Sequence, residues 1–505
     1  LSTCVEDSEG FRDYHESEKT VLTPSILWLI SDKTKLNYEL EYVVQSLTFD
    51  RGIVAVDGKI DALPIETSLG EPSDKPTEVK AISHQLTLEH QLGEWSLLTG
   101  ISYSDSEFLS ESSDAELAPS RQVYFIDGVT LSRQHNQRDF QTNYISARSE
   151  LSGSIKAAGF THHLLIGADA SKFDFDKVWY RYRPTIDDTS YAINMYEPEY
   201  GKTAPEGSLL FDTTEVQNSY GIYIQDQVDI TEKWKMQIGG RYDWFDQRID
   251  NHKNLTRSEA DKSTFSPRAG LVYAHSEDLQ FYSSYSEGFR PNSGFDADGE
   301  AFEPEETTSI EVGVKFNTDI VSGSFTVFNA QKSNMLSTDV QAGVSRALGE
   351  VTSEGVELDL HGNITSQTSF DLAYTYTDAK TAKDTVNTDW WVSLPKGTPL
   401  LNIPKHSANV RIKRELSDLI DSNSTVGVSV QYVGERLGEA IDPSYYLPSY
   451  TLVNLFANYH VNDDLSLQFV VNNVLDKTYY ANSYSAIWTQ PGEPLNYKVS
   501  LQYNF

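Results

Sequence analysis

The sequence predicts an all-β protein, a transmembrane antiparallel up-and-down β-barrel, and three observations lead there. Hydrophobic residues recur with a period of two along nearly the whole chain, and no helical period persists. Short connections between these segments alternate with long ones along the chain, which is typical of outer-membrane barrels. Hydrophobic residues make up only 39%, whereas aromatic residues reach 12% with 29 Tyr. That composition suits a thin apolar outer face above a polar lumen.

The carboxyl-terminal segment shows the strand pattern most clearly, because its apolar side chains alternate strictly with polar ones. The apolar positions are Tyr497, Val499, Leu501, Tyr503 and Phe505. Counting such segments from 21–30 to 495–505 gives about nineteen strands, most of them longer than the roughly 9–11 residues that cross a bilayer. Bacterial barrels of one chain have an even strand number, so three earlier strands would give about 22, the size of plugged transporters.

The turns alternate with long loops. Short turns are predicted at 31–35, 93–94, 231–234, 276–279, 317–320 and 462–465. Three of them, Thr231–Trp234, Ser276–Leu279 and Asn462–Leu465, share one order of a small polar residue, an acidic residue, any residue and an apolar residue. Long loops are predicted at 51–80, 110–135, 178–214 and 381–403. Turns at one rim and loops at the other indicate a membrane barrel.

Composition excludes several classes of protein. Lys and Arg number 40 against 74 Asp and Glu, so the net charge of −34 argues against nucleic acid as a partner. The longest apolar run, 26–30, is far shorter than the roughly 20 residues of a membrane helix. A β-propeller or an array of sandwiches is the rival fold, but no blade period recurs.

No catalytic constellation, cofactor motif or metal site is predicted. The chain lacks a nucleophile elbow, a zinc-protease helix motif and a phosphate-binding loop. The single cysteine, Cys4, cannot form an internal disulfide. The adjacent His162 and His163 fall on a strand, where neighbouring side chains point to opposite faces, so we do not expect them to share a ligand.

A set of ordered segments resembles the TonB-dependent outer-membrane receptors, and among them the siderophore-receptor type. These segments are Ser219–Gln227, Gly239–Asp243, Phe265–Leu271, Tyr285–Pro291, Glu303–Glu305, Ile310–Lys315, Ser353–Glu357 and Asn472–Tyr480, with a terminal Phe505. The resemblance covers most of the chain.

The resemblance implies a barrel of 22 strands, filled by an N-terminal plug that carries a TonB box, in the outer membrane of a Gram-negative bacterium. We expect this chain to be the barrel portion without the plug: 1–19 as the end of an early strand with an extracellular loop, and 20–505 as the barrel domain. The implied partners are an iron–siderophore ligand and, through the plug, the TonB–ExbB–ExbD energy-coupling complex. The resemblance also implies lipopolysaccharide and outer-membrane lipid around the barrel.

Tyr503 and Phe505 resemble the signal that the barrel-assembly machinery recognises in its substrates. The alternative is an ordinary last strand with aromatic side chains at the membrane interface.

Candidate ligand-binding residues lie where the loops meet the strands. Trp179, Tyr180, Arg181, Tyr182 and Arg183 combine aromatic faces with guanidinium groups that suit an anionic, oxygen-rich ligand. Further candidates are Trp390 and Trp391 in the loop 381–403, Tyr484 and Trp488 in the last loop, and Phe289 and Arg290 at the outer end of a strand. The alternatives are an interfacial aromatic belt and, for Phe289 and Arg290, a loop anchor.

Acidic residues concentrate in 105–116 and 296–306, which predicts either a solvated, repulsive outer surface or bridges through divalent cations to lipopolysaccharide phosphates. The leading functional hypothesis is a receptor that binds and imports a ferric siderophore, and not an enzyme. The alternatives are TonB-dependent uptake of cobalamin or carbohydrate, and a passive diffusion porin.

Overall fold

The computed structural model describes residues 2–292, 302–339, 344–387, 392–420, 424–439, 444–462 and 464–503, and nearly all of their regular structure is β. In chain order the strands are β1 Ser2–Glu9, β2 Glu16–Thr23, β3 Ser25–Ser31, β4 Thr34–Leu47, β5 Thr77–Leu92, β6 Trp95–Ala115, β7 Thr130–Leu131, β8 Arg133–Ala157, β9 Phe160–Tyr182, β10 Ile193–Asn194, β11 Ser208–Asp229, β12 Trp234–Asn251, β13 Thr256–Ala274, β14 Leu279–Arg290, β15 Glu305–Asn317, β16 Val321–Asp339, β17 Val344–Thr365, β18 Thr368–Thr381, β19 Thr385–Asn387, β20 Val392–Leu394, β21 His406–Glu415, β22 Thr425–Val433, β23 Arg436–Leu437, β24 Tyr446–Leu447, β25 Tyr450–His460, β26 Leu465–Asn472, β27 Tyr480–Ser485, β28 Trp488–Pro491 and β29 Asn496–Tyr503.

The helices are the single turn α1, Tyr124–Asp127, and a 3-10 turn, Ile60–Ala62. Within the described ranges, neither is long or apolar enough to cross a membrane.

One sheet of 21 segments forms the wall, and each segment pairs antiparallel with the next wall segment along the chain, except that β2 pairs with β4 and not with β3. Eight short strands of the described residues lie outside it and form four two-stranded sheets in the loops. Both β2 and β3 pair with β4, so they form one strand that is interrupted at Pro24, which has no backbone N–H to donate. Among the described residues, nineteen strands therefore follow β1, and the predicted up-and-down, all-β architecture is confirmed.

The two faces of the wall differ as the alternation predicts. On β11, Ile222 and Ile224 are 53% and 54% exposed and belong to the outer face. The intervening Tyr223 points inward, where its hydroxyl donates to Glu150 at 2.6 Å. The Arg241 guanidinium lies on the same inner face and donates to Asp169 at 2.9 Å. The outer face is therefore apolar, whereas the inner face is polar and its side chains are hydrogen-bonded to one another.

The shared turn pattern corresponds to a shared hydrogen-bonding geometry. The backbone N–H groups of Thr231, Ser276 and Asn462 donate to the carbonyls three residues ahead at 3.2, 3.3 and 3.4 Å. The Thr231 hydroxyl and the Asn462 amide oxygen also accept hydrogen bonds from backbone N–H groups inside the turn. In these two turns the side chain of the small polar residue thus bonds the turn's own backbone.

The predicted loop boundaries were wrong at several strand ends. β5 begins at Thr77, β6 continues to Ala115, and β9 and β11 take in 178–182 and 208–214. Above the bilayer both faces of a strand meet polar groups or loops, so the period of two that marks a membrane strand disappears. Residues 105–115, expected in an acidic loop, are part of β6.

The apolar core lies among the loops at the mouth of the barrel. The loops 48–76, 116–132, 183–207, 434–449 and 473–495, together with Ala115 at the end of β6, contribute to one buried cluster. Its members are Ile53, Val54, Ala55, Leu63, Leu69, Ala115, Leu117, Leu131, Ile193, Met195, Tyr445, Leu447, Tyr480 and Ile487. Burying a large aliphatic side chain contributes about 1.5–3 kcal/mol of stabilising free energy. This cluster therefore stabilises the packing of the loops against one another.

Backbone hydrogen bonds join loop 48–76 to loop 473–495, which come from opposite ends of the sheet. Ile53 and Thr489 exchange two bonds of 2.8 and 3.0 Å, and the Ala55 N–H donates to the Ala486 carbonyl at 2.7 Å. Gly52 allows this approach, because a Cβ there would lie 2.1 Å from the Thr489 carbonyl oxygen. These hydrogen bonds thus connect a loop near one end of the sheet to a loop near the other end.

We expect Gly52→Ala to separate these two loops. Gly52 has a φ of +87°, so alanine would combine backbone strain of about 1–2 kcal/mol with the clash against Thr489. The melting temperature of the folded barrel in detergent should fall, and protease cleavage within 48–76 should become faster. Gly58→Ala is the matched control, because Gly58 has a φ of +73° and nothing within 4 Å of the added carbon. Equal effects of the two substitutions would contradict the role assigned to Gly52.

Candidate functional site

Five side chains meet at the inner side of the barrel mouth and form what we call the arginine–aromatic cluster: Phe49, Arg51, Arg138, Trp179 and Trp488. The Arg51 guanidinium lies 4.5 Å from the Phe49 ring centre and 4.3 Å from that of Trp488. The Arg138 guanidinium lies 5.2 Å from Phe49 and 5.1 Å from Trp179. Each cation is thus placed between two aromatic rings, a contact worth about 0.5–2 kcal/mol.

The strand register places the cluster on the inner face. Arg138 on β8 is directly opposite Trp179 on β9, so both side chains point the same way. Tyr180 is on the other face of β9 and is 42% exposed. Ile166, nearer the membrane, is an exposed residue of the same outer face. Because neighbouring residues of a strand alternate, Trp179 and Arg181 face the lumen while Tyr180 faces outward.

Asp114 holds the two arginines. Its carboxylate lies 3.6 Å from Arg51 Nε and 3.5 Å from an Arg138 terminal nitrogen. Asn136 Nδ2 donates to the same carboxylate at 2.9 Å, and the Asn136 amide oxygen accepts from Trp179 Nε1 at 3.0 Å. One buried carboxylate therefore neutralises part of a doubly cationic surface and fixes the orientation of the tryptophan.

The cluster retains unused donor capacity. Arg51 Nε makes no hydrogen bond to any described residue, although it is buried. Arg51 and Arg138 share the single carboxylate of Asp114, so positive charge exceeds negative charge at this place. An anionic group entering between the rings would find guanidinium donors and flat aromatic faces together.

An aromatic wall extends from the cluster along the lumen. Lys177 Nζ lies 4.1 Å from the Phe211 ring centre and 5.6 Å from that of Trp179. Phe140 contacts both Phe108, at 5.6 Å, and Phe175, at 5.9 Å between ring centres. This wall gives the inner surface below the mouth a mixed aromatic and cationic character.

The residues predicted at 179–183 have different positions. The structure places 179–182 at the end of β9 and not in a loop, because β9 extends beyond the segment in which apolar and polar residues alternate. Trp179 and Arg181 face inward, with the Arg181 guanidinium 5.9 Å from the Trp179 ring centre. The Tyr182 hydroxyl donates to Asp188 at 2.6 Å, and Arg183 Nε donates to Glu116 at 2.7 Å. These last two side chains are bonded to loop carboxylates.

The other predicted residues divide in the same way. Tyr484 packs against Trp488 at 5.9 Å in the hairpin of β27 and β28, and so borders the arginine–aromatic cluster. Phe289 stacks on Phe245 at 5.8 Å, and Arg290 ends β14 in an exposed position, away from the cluster's contacts. Trp390, Trp391 and Phe505 lie outside the described residues, whereas Tyr503 is half exposed at the end of β29.

Sequence reasoning missed Phe49, Arg51, Asp114 and Arg138. The available signal was Phe49 two positions before Arg51, an aromatic residue near a cation; in the predicted pair Phe289 and Arg290 the two are adjacent. The prediction of a solvated acidic surface over 105–116 is wrong for two of its carboxylates. Asp114 and Glu116 are buried beside arginines, so these carboxylates are not part of a solvated repulsive surface.

His162 and His163 behave as the strand geometry predicts. His162 Nδ1 lies 2.7 Å from Asp226, whereas His163 Nε2 lies 3.1 Å from Asp229. The two rings use different carboxylates and share no site.

Comparison with known proteins places this architecture. A family model described as TonB dependent receptor-like, beta-barrel, matches residues 24–474. Over 518 residues the chain is 32% identical to the metal-pseudopaline receptor CntO of Pseudomonas aeruginosa, covering all of this chain and 71% of that receptor. It is 26% identical to the ferrichrome outer membrane transporter/phage receptor of Escherichia coli, covering 94% of this chain and 66% of that protein.

Solved structures show the same fold. The siderophore receptor PiuA from Acinetobacter baumannii superposes with a TM-score of 0.88 at 20% identity, over 99% of this chain and 76% of that one. The ferric-catecholate import receptor Fiu from E. coli superposes with a TM-score of 0.82 at 18% identity, over 100% and 77%. The chain therefore belongs to the TonB-dependent receptors of the Gram-negative outer membrane, and it matches the β-barrel of that family.

Proposed function

We propose that this barrel binds a ferric siderophore at its mouth and imports it with energy delivered through TonB. The observation that supports the proposal is the arginine–aromatic cluster, which faces the lumen directly below the loops. We also propose that the protein interacts with the TonB–ExbB–ExbD complex and with lipopolysaccharide around the barrel. The barrel-assembly machinery would recognise Tyr503 and Phe505 as its signal. Binding and transport, and not catalysis, are the activity proposed.

The chemistry of the cluster suits such a ligand. A ferric siderophore is compact and rich in oxygen, so its donors carry negative charge that guanidinium groups recognise through paired hydrogen bonds. Aromatic or flat chelating groups can stack on Trp179 and Trp488, whose rings lie beside Arg138 and Arg51 respectively. We propose Arg51, Arg138, Trp179 and Trp488 as ligand contacts, with Arg181 and Tyr484 at the border of the site.

A second candidate is the uptake of a metal complex that does not contain iron. The observation that favours it is the 32% identity to a receptor named for metal-pseudopaline, since that name does not restrict the metal to iron. Other relatives are named for ferrichrome and ferrioxamine B. The same arginine–aromatic cluster would serve either ligand, because both offer anionic oxygen donors.

We expect Arg138→Ala to weaken ligand binding by about tenfold to a hundredfold, because a charge-assisted hydrogen bond in a partly desolvated site contributes about 1.5–3 kcal/mol. The measurement is equilibrium binding of ferrichrome, ferrioxamine B and a metal–pseudopaline complex to the receptor in detergent. The complex that binds most tightly also decides between the two candidates.

Tyr180→Ala is the matched control for the binding measurement. Tyr180 adjoins Trp179 in sequence but faces outward, so its removal should leave affinity unchanged while Trp179→Ala reduces it. Affinity that depends on Tyr180 and not on Trp179 or Arg138 would reject the proposed site.

We expect import to require TonB, whereas binding does not. Cells that express the receptor should accumulate the radiolabelled metal of the preferred complex only when TonB is present, because the outer membrane has no energy source of its own. Whole-cell binding at low temperature should be the same in both strains. Accumulation that is independent of TonB would instead indicate a passive pore.

A further inference from the structure

Three potential metal ligands converge outside the arginine–aromatic cluster, on the outer face of the wall above the membrane. On β6 and β8, Ser113 is directly opposite His135 and Glu111 is directly opposite Gln137. His135 and Glu111 are therefore diagonal neighbours on one face. That face continues toward the membrane through the exposed Ile145 of β8, and the loop 48–76 covers its upper end with Asp74.

The ligand atoms of these side chains are close together. His135 Nε2 lies 3.2 Å from Glu111 Oε1 and 3.8 Å from Asp74 Oδ1, and one ligand atom from each residue fits within 4.8 Å of the others. In a tetrahedral Zn²⁺ site with bonds of about 2.0–2.2 Å, ligand atoms are about 3.3–3.6 Å apart. The three side chains thus need only small movements to hold such an ion.

His135 provides an independent indication of a ligand. Its side chain is only 4% exposed, and Nε2 is buried without a hydrogen bond to any described residue although it points at the two carboxylates. A buried nitrogen without a partner costs about 1–3 kcal/mol. Coordination of a cation by the neutral imidazole would remove this cost, and imidazole is a common metal ligand.

The charges around this nitrogen also favour a cation. The side chains of Asp74 and Glu111 are only 13% and 21% exposed. The nearest lysine, Lys75, is 3.9 Å from Glu111 Oε2, but its side chain is 86% exposed and lies at the edge. The two partly buried carboxylates thus share a site with little compensating positive charge.

An entry path exists on one side. Asp74 and Glu111 both line a cavity of about 390 Å³ that is also bordered by Tyr14, Glu18 and Ser46. A hydrated ion can therefore reach the carboxylates from the cavity, and a water molecule can occupy the fourth position of a tetrahedral site. His135, on the closed side, would complete the coordination from within the wall.

We propose that Asp74, Glu111 and His135 bind one divalent transition-metal ion of the Zn²⁺ class, which fastens the loop 48–76 to β6 and β8. A neighbouring contact already fastens this loop to β8: the buried Arg133 donates to Glu71 at 3.2 Å and to the Gly70 carbonyl at 2.7 Å. The metal would add a second fastening close to the base of the same loop. The proposal concerns the barrel itself and does not depend on the transported ligand.

The test is a titration of the receptor in detergent with Zn²⁺, by calorimetry, after treatment with a chelator. The wild-type protein should bind one equivalent more than His135→Ala. Zn²⁺ should also slow backbone hydrogen exchange in peptides that cover 70–76, in the wild-type protein and not in the variant. Asp74→Asn and Glu111→Gln should each weaken binding at the same equivalent.

His361→Ala is the matched control. His361 Nδ1 lies 2.7 Å from Asp371 in an exposed imidazole–carboxylate pair, so its removal should leave the additional equivalent in place. If His135→Ala does not fold, Glu111→Gln decides, since the Glu111 side chain is less buried than that of His135. Equal Zn²⁺ stoichiometry in the wild-type protein and in the folded variant, or hydrogen exchange that Zn²⁺ does not change, would overturn the proposal.

Discussion

The backbone hydrogen bonds of the wall are the constraint on which the rest of this structure depends. A chain that crosses lipid without helices must satisfy every N–H and C=O between neighbouring strands, because hydrocarbon offers no partners. The antiparallel meander does so, and each strand finds its partners in the next one along the chain. The side chains are then free to differ on the two faces, apolar toward lipid and polar toward the lumen.

That constraint weakens above the membrane, and the character of the structure changes there. Strands continue past the bilayer, but loops cover both of their faces, so buried charges such as Arg133, Asp114 and Glu116 become possible. Each is paired, since an isolated buried charge would be costly. The apolar loop core and these ion pairs together hold the mouth in one arrangement, and the arginine–aromatic cluster is positioned by both.

The cluster illustrates how a site can be assembled from distant parts of a chain. Arg51 comes from a loop near the amino terminus, Arg138 and Trp179 from adjacent strands, and Trp488 from the last loop. Hydrogen bonds between Ile53 and Thr489 bring the first and last of these together. The same loop 48–76 carries Asp74, so its placement governs both the proposed ligand site and the proposed metal site.

The sequence by itself determined the all-β class, the alternation of turns and loops, and the family resemblance, because membrane strands repeat a simple period and turns bond their own backbone. Its prediction of Trp179, Arg181 and Trp488 as candidates came from residue chemistry alone. Only the tertiary structure decided that Trp179 adjoins Arg138 and Trp488 adjoins Arg51, two arginines that share Asp114, and that Tyr180 faces away. It also decided that Asp114 and Glu116 are buried. Such contacts depend on how loops separated by hundreds of residues pack, and no local period encodes that packing.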